Sequence, residues 1–234
     1  MQRNKGFTLV EMAIVLSIIG AIISVVVAGD AIIKNAKLRS VISDLDKYKM
    51  AVSQFKEKFH FYPGDFKFAT NYFGTKNRGN GDGNWRITGD DTEILYTWQH
   101  LYLAGFIDSN LSGFSDGSPI FKPGINVPSS KIQNNYFLIR SDVILSKDGT
   151  FIEYTKNSTN NQPYAGSFTP EDASYIDEKL DDKIASSGNI YAIEGKDSAL
   201  NSCTTSENLS DLNKVKEYNL INKATDCRLV MWLN

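Results

Sequence analysis

Histidine and cysteine are scarce in this chain, with two of each among 234 residues. The histidines, His60 and His100, stand far apart, and Cys203 and Cys227 have neither the CxxC nor the His-linked spacing of a zinc site. Transition-metal clusters and a histidine-activated nucleophile are therefore not advertised. Both cysteines fall in the polar C-terminal quarter and favour a single disulfide, which would stabilise the fold by about 3 kcal/mol and implies an oxidising compartment. The plainer alternative is two unpaired thiols buried as small apolar groups. Positive charge is not in excess either: the formal net charge is -2, and losing the first six residues, which carry Arg3 and Lys5, would make it more negative still. No basic surface for a nucleic acid is expected. Extensive disorder is excluded by a 41% hydrophobic content, enough for one sizeable core.

Charge is missing altogether from Met12 to Gly29, and no proline precedes Pro63. As a helix the uncharged run would be roughly 27 Å long, close to the hydrocarbon thickness of a bilayer. An ordinary signal peptide has support from the basic Arg3 and Lys5 and from Val26-Val27-Ala28 as a small-residue cleavage site. It leaves Glu11 unexplained, because a carboxylate inside the apolar run costs about 3 kcal/mol on insertion. A plain membrane anchor has the same defect.

The heptapeptide Lys5-Gly6-Phe7-Thr8-Leu9-Val10-Glu11, followed by the apolar run, resembles the class III leader of type IV pilins and of type II secretion pseudopilins. The resemblance covers about the first 30 residues. It implies cleavage by a prepilin peptidase between Gly6 and Phe7, N-methylation of Phe7, and an assembly role for Glu11, whose carboxylate would neutralise the α-amine of a neighbouring subunit inside a helical bundle. Each buried charge would then offset the desolvation of the other, and losing either would strand its partner. The charge rule for orientation is ambiguous, since Lys34, Lys37 and Arg39 follow the run. The leader and the cysteines together imply a single pass through the inner membrane, N-terminus in the cytoplasm and head in the periplasm.

Apolar residues continue at helical spacing as Leu38, Ile42, Leu45, Tyr48, Val52, Phe55 and Phe59, so one helix is expected to run to about residue 59. The rival expectation is a break at Gly29-Asp30. The predicted organisation is a leader at 1–6, a transmembrane and assembly helix at 7–33, its amphipathic continuation at 34–60, and a globular head at 61–234. Pro63-Gly64-Asp65 stops the helix. A second helix is predicted from Thr92 to Ala104 and a third from Thr169 through "ASYIDEKLDDKI", with Pro170, Glu171 and Asp172 in its first turn. Strands are predicted at 135–145, 149–155 and 188–195, with "CRLVMWLN" as the last. The fold class is α+β, a long helical spine against an antiparallel sheet. The "PGD" turn and Trp98-Gln99-His100-Leu101 resemble a group of bacterial pilin-like proteins, a resemblance that implies no defined activity.

Four features invite chemistry. Gly113-Phe114-Ser115-Asp116-Gly117 matches the nucleophile elbow G-x-S-x-G, but both histidines precede Ser115 and no apolar strand leads into it, so a polar turn is expected. His100 reads as a hydrogen-bonded structural histidine. Asp82 and Asn84, with Asp90 or Asp91, alternate oxygen donors with glycine as calcium loops do, although Arg78 and Gly89 occupy the positions where an EF-hand requires carboxylates. Asp177, Glu178, Asp181 and Asp182, interspersed with Lys179 and Lys183, read as a solvated face with pairs such as Lys179 and Asp182. No cofactor other than this calcium candidate is expected, and no enzymatic activity. The leader's resemblance implies a structural subunit of a type IV pilus or type II secretion pseudopilus. Its partners would be other pilin or pseudopilin subunits, the prepilin peptidase, an inner-membrane assembly platform and membrane lipid. The alternative is a minor pilin whose head is a binding module at a filament tip.

Overall fold

The computed structural model describes residues 7–74, 79–205 and 216–233, without the side chains of residues 27, 28, 90 and 91. The chain divides into two compact units, Met1–Arg39 and Ser40–Asn234. One helix, α1, is continuous over Leu9–Phe59, so the expected end at residue 59 holds and no break occurs at Gly29-Asp30. It ends where His60 takes the left-handed conformation at φ 58° and donates its N–H to the Lys56 carbonyl at 2.9 Å. Histidine tolerates that region better than most residues.

Within the second unit, α1 buries Val41, Leu45, Tyr48, Val52, Phe55 and Phe59, a stripe spaced alternately by four and three residues. Val41 rather than Ile42 faces the core, because Val41 keeps the alternation of four and three, which Ile42, three residues before Leu45, would break. Tyr48 packs edge-on against both Trp98 and Phe137 with ring centroids 5.0 Å apart, and Phe137 meets Tyr154 in the same way. These rings place the helix against α3 (Ile94–Leu103) and one face of the sheet. A short helix, α2 (Ala69–Phe73), and a π-type turn (Gly89–Glu93) precede α3.

Four antiparallel strands form the sheet in the order β1-β2-β6-β3: β1 (Asn135–Ile144), β2 (Lys147–Lys156), β6 (Cys227–Trp232) and β3 (Ile190–Glu194). A two-residue hairpin joins β1 to β2, with Leu145 and Ser146 both at positive φ as a type I′ turn requires. The last strand is central, paired with β2 on one side and β3 on the other. Side chains alternate across the sheet, and the face away from Phe137 and Tyr154 carries a buried charge cluster. Glu153, fully buried, accepts from Arg140 Nε at 2.7 Å and is also bonded to Arg228, while both guanidinium groups lie over the Tyr164 ring. Helix α4 (Pro170–Leu180) begins as predicted, with Thr169 Oγ1 capping the Asp172 N–H at 3.2 Å. Strands β4 (Thr204–Thr205) and β5 (Glu217–Tyr218) form a separate two-stranded ribbon.

Candidate functional site

The first unit is defined by uncovered apolar surface. Leu9, Val10, Ile14, Leu16, Ile18, Ile22 and Val25 are all exposed, on a helix long and apolar enough by composition to cross a membrane. Such a surface requires lipid or other helices to cover it. Polar groups along it are satisfied internally: Ser17 and Ser24 each donate to the carbonyl four residues back, Ala13 and Gly20, at 2.9 Å.

Glu11 belongs to the helix start. Its Oε2 accepts from the Thr8 N–H at 2.7 Å and from Thr8 Oγ1 at 2.9 Å, while the Glu11 N–H donates back to Thr8 Oγ1 at 3.2 Å. Thr8 is therefore the N-cap, Glu11 the third helical residue, and the pair a reciprocal capping box. The motif T-x-x-E was legible in the sequence and supplies a local role for the acid. The carboxylate is held by two donors on the exposed face of the first turn. Phe7 is 80% exposed, and Gly6 lies outside the described residues.

In the second unit the "PGD" turn and the Trp98–Leu101 segment prove to be two halves of one device. The Gly64 N–H donates to His100 Nδ1 at 2.9 Å, and His100 Nε2 lies 3.1 Å from the Gly79 carbonyl. An N–H on one side and a carbonyl on the other fix the neutral tautomer with its proton on Nε2. Burial accordingly pushes the imidazole down to about 4, against the favourable Gly79 contact. Thr97 Oγ1 donates to the Pro63 and Glu93 carbonyls, and a Cβ on Gly64, at φ 89°, would lie 2.4 Å from Glu93 O and from Thr97 Oγ1. Only glycine fits there. Fully buried Asp65 gathers the following loop: Oδ1 accepts from the Gly83 and Asn84 N–H groups at 2.7 and 2.9 Å, and Oδ2 from Trp85 at 2.8 Å. Burial is the main reason its carboxyl rises to about 6, with Glu93 adding to the effect and the backbone donors opposing it. Sequence reasoning missed Asp65 and Glu93 as loop organisers; the glycine-rich partner loop was the available signal.

Asp82 and Asn84 are brought together, but chiefly with each other: Asn84 Nδ2 donates to Asp82 Oδ2 at 2.7 Å and the Asn84 N–H to Oδ1 at 3.0 Å. The side chains of Asp90 and Asp91 lie outside the described residues. Ser115 sits in a polar turn, its hydroxyl donating to the Gly117 carbonyl at 3.0 Å, with Asp116 paired to Lys122. The acidic run on α4 is not one solvated face. Asp177 is fully buried because α4 packs its Ala173–Ile176 side inward and Tyr218, remote in sequence, brings a hydroxyl to Asp177 Oδ2 at 2.8 Å. Lys183 pairs with Glu178 at 2.8 Å, rather than Lys179 with Asp182. Cys203 and Cys227 form the disulfide, joining the end of the β3–β4 connection to the central strand with Cα atoms 4.9 Å apart.

No curated protein and no solved structure matches the chain. The family model described as prokaryotic N-terminal methylation motif matches residues 1–27. That span holds the Gly6-Phe7 junction, the Thr8–Glu11 box and most of the uncharged run, and so the first 27 residues are a prokaryotic N-terminal methylation motif, which supports a type IV pilin-like precursor processed by a prepilin peptidase.

Proposed function

We propose that the chain is a pilin-like structural subunit, cut between Gly6 and Phe7, methylated on Phe7, held in the inner membrane with its head in the periplasm, and assembled into a type IV pilus or type II secretion pseudopilus. The observation that carries this reading is the single acid at the head of an otherwise uncharged, uncovered apolar helix. A lone anchor gains nothing from Glu11 beyond a cap. In a fibre, the same carboxylate meets the α-amine of a neighbouring subunit, and the pair rewards correct axial register. Prepilin peptidase, other pilin or pseudopilin subunits and an inner-membrane platform are the partners, and the head has no enzymatic role.

The capping box dictates the variant that tests this. Glutamine completes such a box as glutamate does, so Glu11→Gln keeps the helix start and removes only the charge. The variant should be processed and membrane-bound at normal levels, yet absent from sheared or co-purified filaments. Incorporation of Glu11→Gln at the level of the unmodified protein would overturn the proposal.

A further inference from the structure

Among the described residues of the second unit four aromatic side chains are exposed, Phe68, Tyr72, Trp85 and Phe114, and the first three belong to one connected set of rings. Trp85 stacks on Phe61 with centroids 5.7 Å apart and planes 19° from parallel, and Phe68 meets Phe61 edge-on at 6.2 Å. Buried Phe66 joins them from the core, 5.8, 6.1 and 6.4 Å from Phe61, Phe68 and Tyr72. No exposed aliphatic side chain falls among the described residues from 61 to 85. The exposed apolar surface here is made of rings alone.

The fold goes to some lengths to present these rings. Trp85 is 56% exposed and takes φ 68°, a left-handed conformation that is strained for a bulky residue. It is held there by fully buried Asp65, whose Oδ2 accepts the Trp85 N–H at 2.8 Å while Oδ1 fixes the two residues before it. A Cβ on Gly83, at φ 78°, would come within 2.9 Å of Lys67 Cδ and 3.4 Å of Phe61 Cε1, so a glycine lets the loop lie against both. Lys67 in turn extends its ammonium over the Phe68 and Phe61 rings, at 5.2 and 5.6 Å, and forms no salt bridge among the described residues. A buried carboxylate and a strained backbone thus hold an indole out in solvent.

We infer that Trp85, Phe61 and Phe68 form a binding platform for a neutral pyranose glycan. A sugar ring offers on one side a flat set of weakly positive C–H groups, which suits the negative face of an indole or phenyl ring. Its rim carries hydroxyls that both donate and accept. The polar groups beside the rings match that need: Lys67 donates, Asp82 accepts, and Asn84, bonded to Asp82 at 2.7 Å, can do either. One cation and one carboxylate leave no net charge among them, which favours neither an anionic nor a cationic ligand. A stable protein contact needs about 800 Å² on each side, which three part-exposed rings do not approach. Rings already fixed in place lose little freedom when a ligand settles on them. This reading goes beyond subunit assembly and does not rest on it.

The test uses the full chain in a detergent without a sugar headgroup, titrated with cellohexaose and chitohexaose, and with hexagalacturonic acid as the charged comparison. The other two tryptophans, Trp98 and Trp232, are buried, so emission that moves on binding reports on Trp85. At least one neutral hexasaccharide should shift it saturably to the blue, and the acidic one should bind more weakly. Trp85→Gly removes the ring and keeps the backbone, since glycine adopts a positive φ freely, and the calorimetric affinity should fall roughly ten-fold or more. Phe68→Ala, outside the loop that Asp65 holds, should weaken binding as well, while Phe114→Ala should leave it unchanged. An absence of saturable binding of both neutral probes would overturn the inference, and self-association abolished by Trp85→Gly would then make the patch a contact between copies. Undiminished affinity in Trp85→Gly or Phe68→Ala, or equal or tighter binding of the acidic probe, would overturn it too. Filament assembly is not read out, so this test can fail without bearing on the assembly proposal.

Discussion

Protonation of His100 should unfold the clamp within the head, and the effect can be given a size. His100 Nδ1 receives the Gly64 N–H at 2.9 Å, so a proton placed on that nitrogen would face another proton with no acceptor nearby. The folded-state value of about 4 compares with an ordinary 6.5. At about 1.4 kcal/mol per unit, the folded state excludes the proton by about 3 kcal/mol. The sign follows from which state binds the proton. The unfolded chain takes it up below 6.5 and the folded chain only near 4, so the full term is present above 6.5 and is lost as pH falls towards 4. Asp65 and Asp177, both raised to about 6 by burial, act in the opposite sense over an overlapping range, since the folded state protonates them first. The unmodified protein alone would show only the sum. His100→Gln removes the titration while offering an oxygen to Gly64 and an N–H to Gly79. Urea unfolding of both proteins, read from buried Trp98 and Trp232, gives the difference in free energy at each pH. That difference should shrink by about 3 kcal/mol between about pH 7 and pH 4. A difference that stays flat across this range would refute the assigned tautomer and the role drawn from it.

Three further substitutions probe the head. Glu153→Ala should cost about 3–5 kcal/mol in chemical unfolding, because it leaves Arg140 and Arg228 buried without their shared counter-charge, and a loss below about 1 kcal/mol would mean that the pair is effectively solvated. Gly64→Ala forces a Cβ onto the Glu93 carbonyl at a left-handed position and should lower stability by about 3 kcal/mol, whereas an unchanged melting midpoint would contradict the close approach. Replacing Cys203 and Cys227 together by serine opens a loop of 24 residues and should lower stability by about 3 kcal/mol. Two titratable thiols in the non-reduced folded protein would contradict the bond itself.

The elements that were legible in the sequence are those with a local physical signature. α1 announced itself through an uninterrupted apolar stripe free of proline, α4 through Thr169-Pro170 and its early acids, and the strands through β-branched and aromatic runs. The capping box is also local, and Thr8 and Glu11 could be paired from spacing alone. What escaped depends on partners remote in sequence. Nothing near Asp177 foretells burial beneath Tyr218, 41 residues later, and nothing near Asp65 reveals that its carboxylate will hold the N–H groups of Gly83 to Trp85. The central place of β6 in the sheet is likewise long-range, since strand order follows from pairing and not from the pattern within any one strand.

The central claim, that the N-terminus is a processed pilin-like leader, is tested most directly by mass spectrometry of the N-terminal peptide of the protein recovered from its native membranes. A first residue of Phe7 carrying one added methyl group is the predicted result. An N-terminus that retains Met1 to Gly6, or one that begins after Ala28 as an ordinary signal peptide would leave it, would contradict the account.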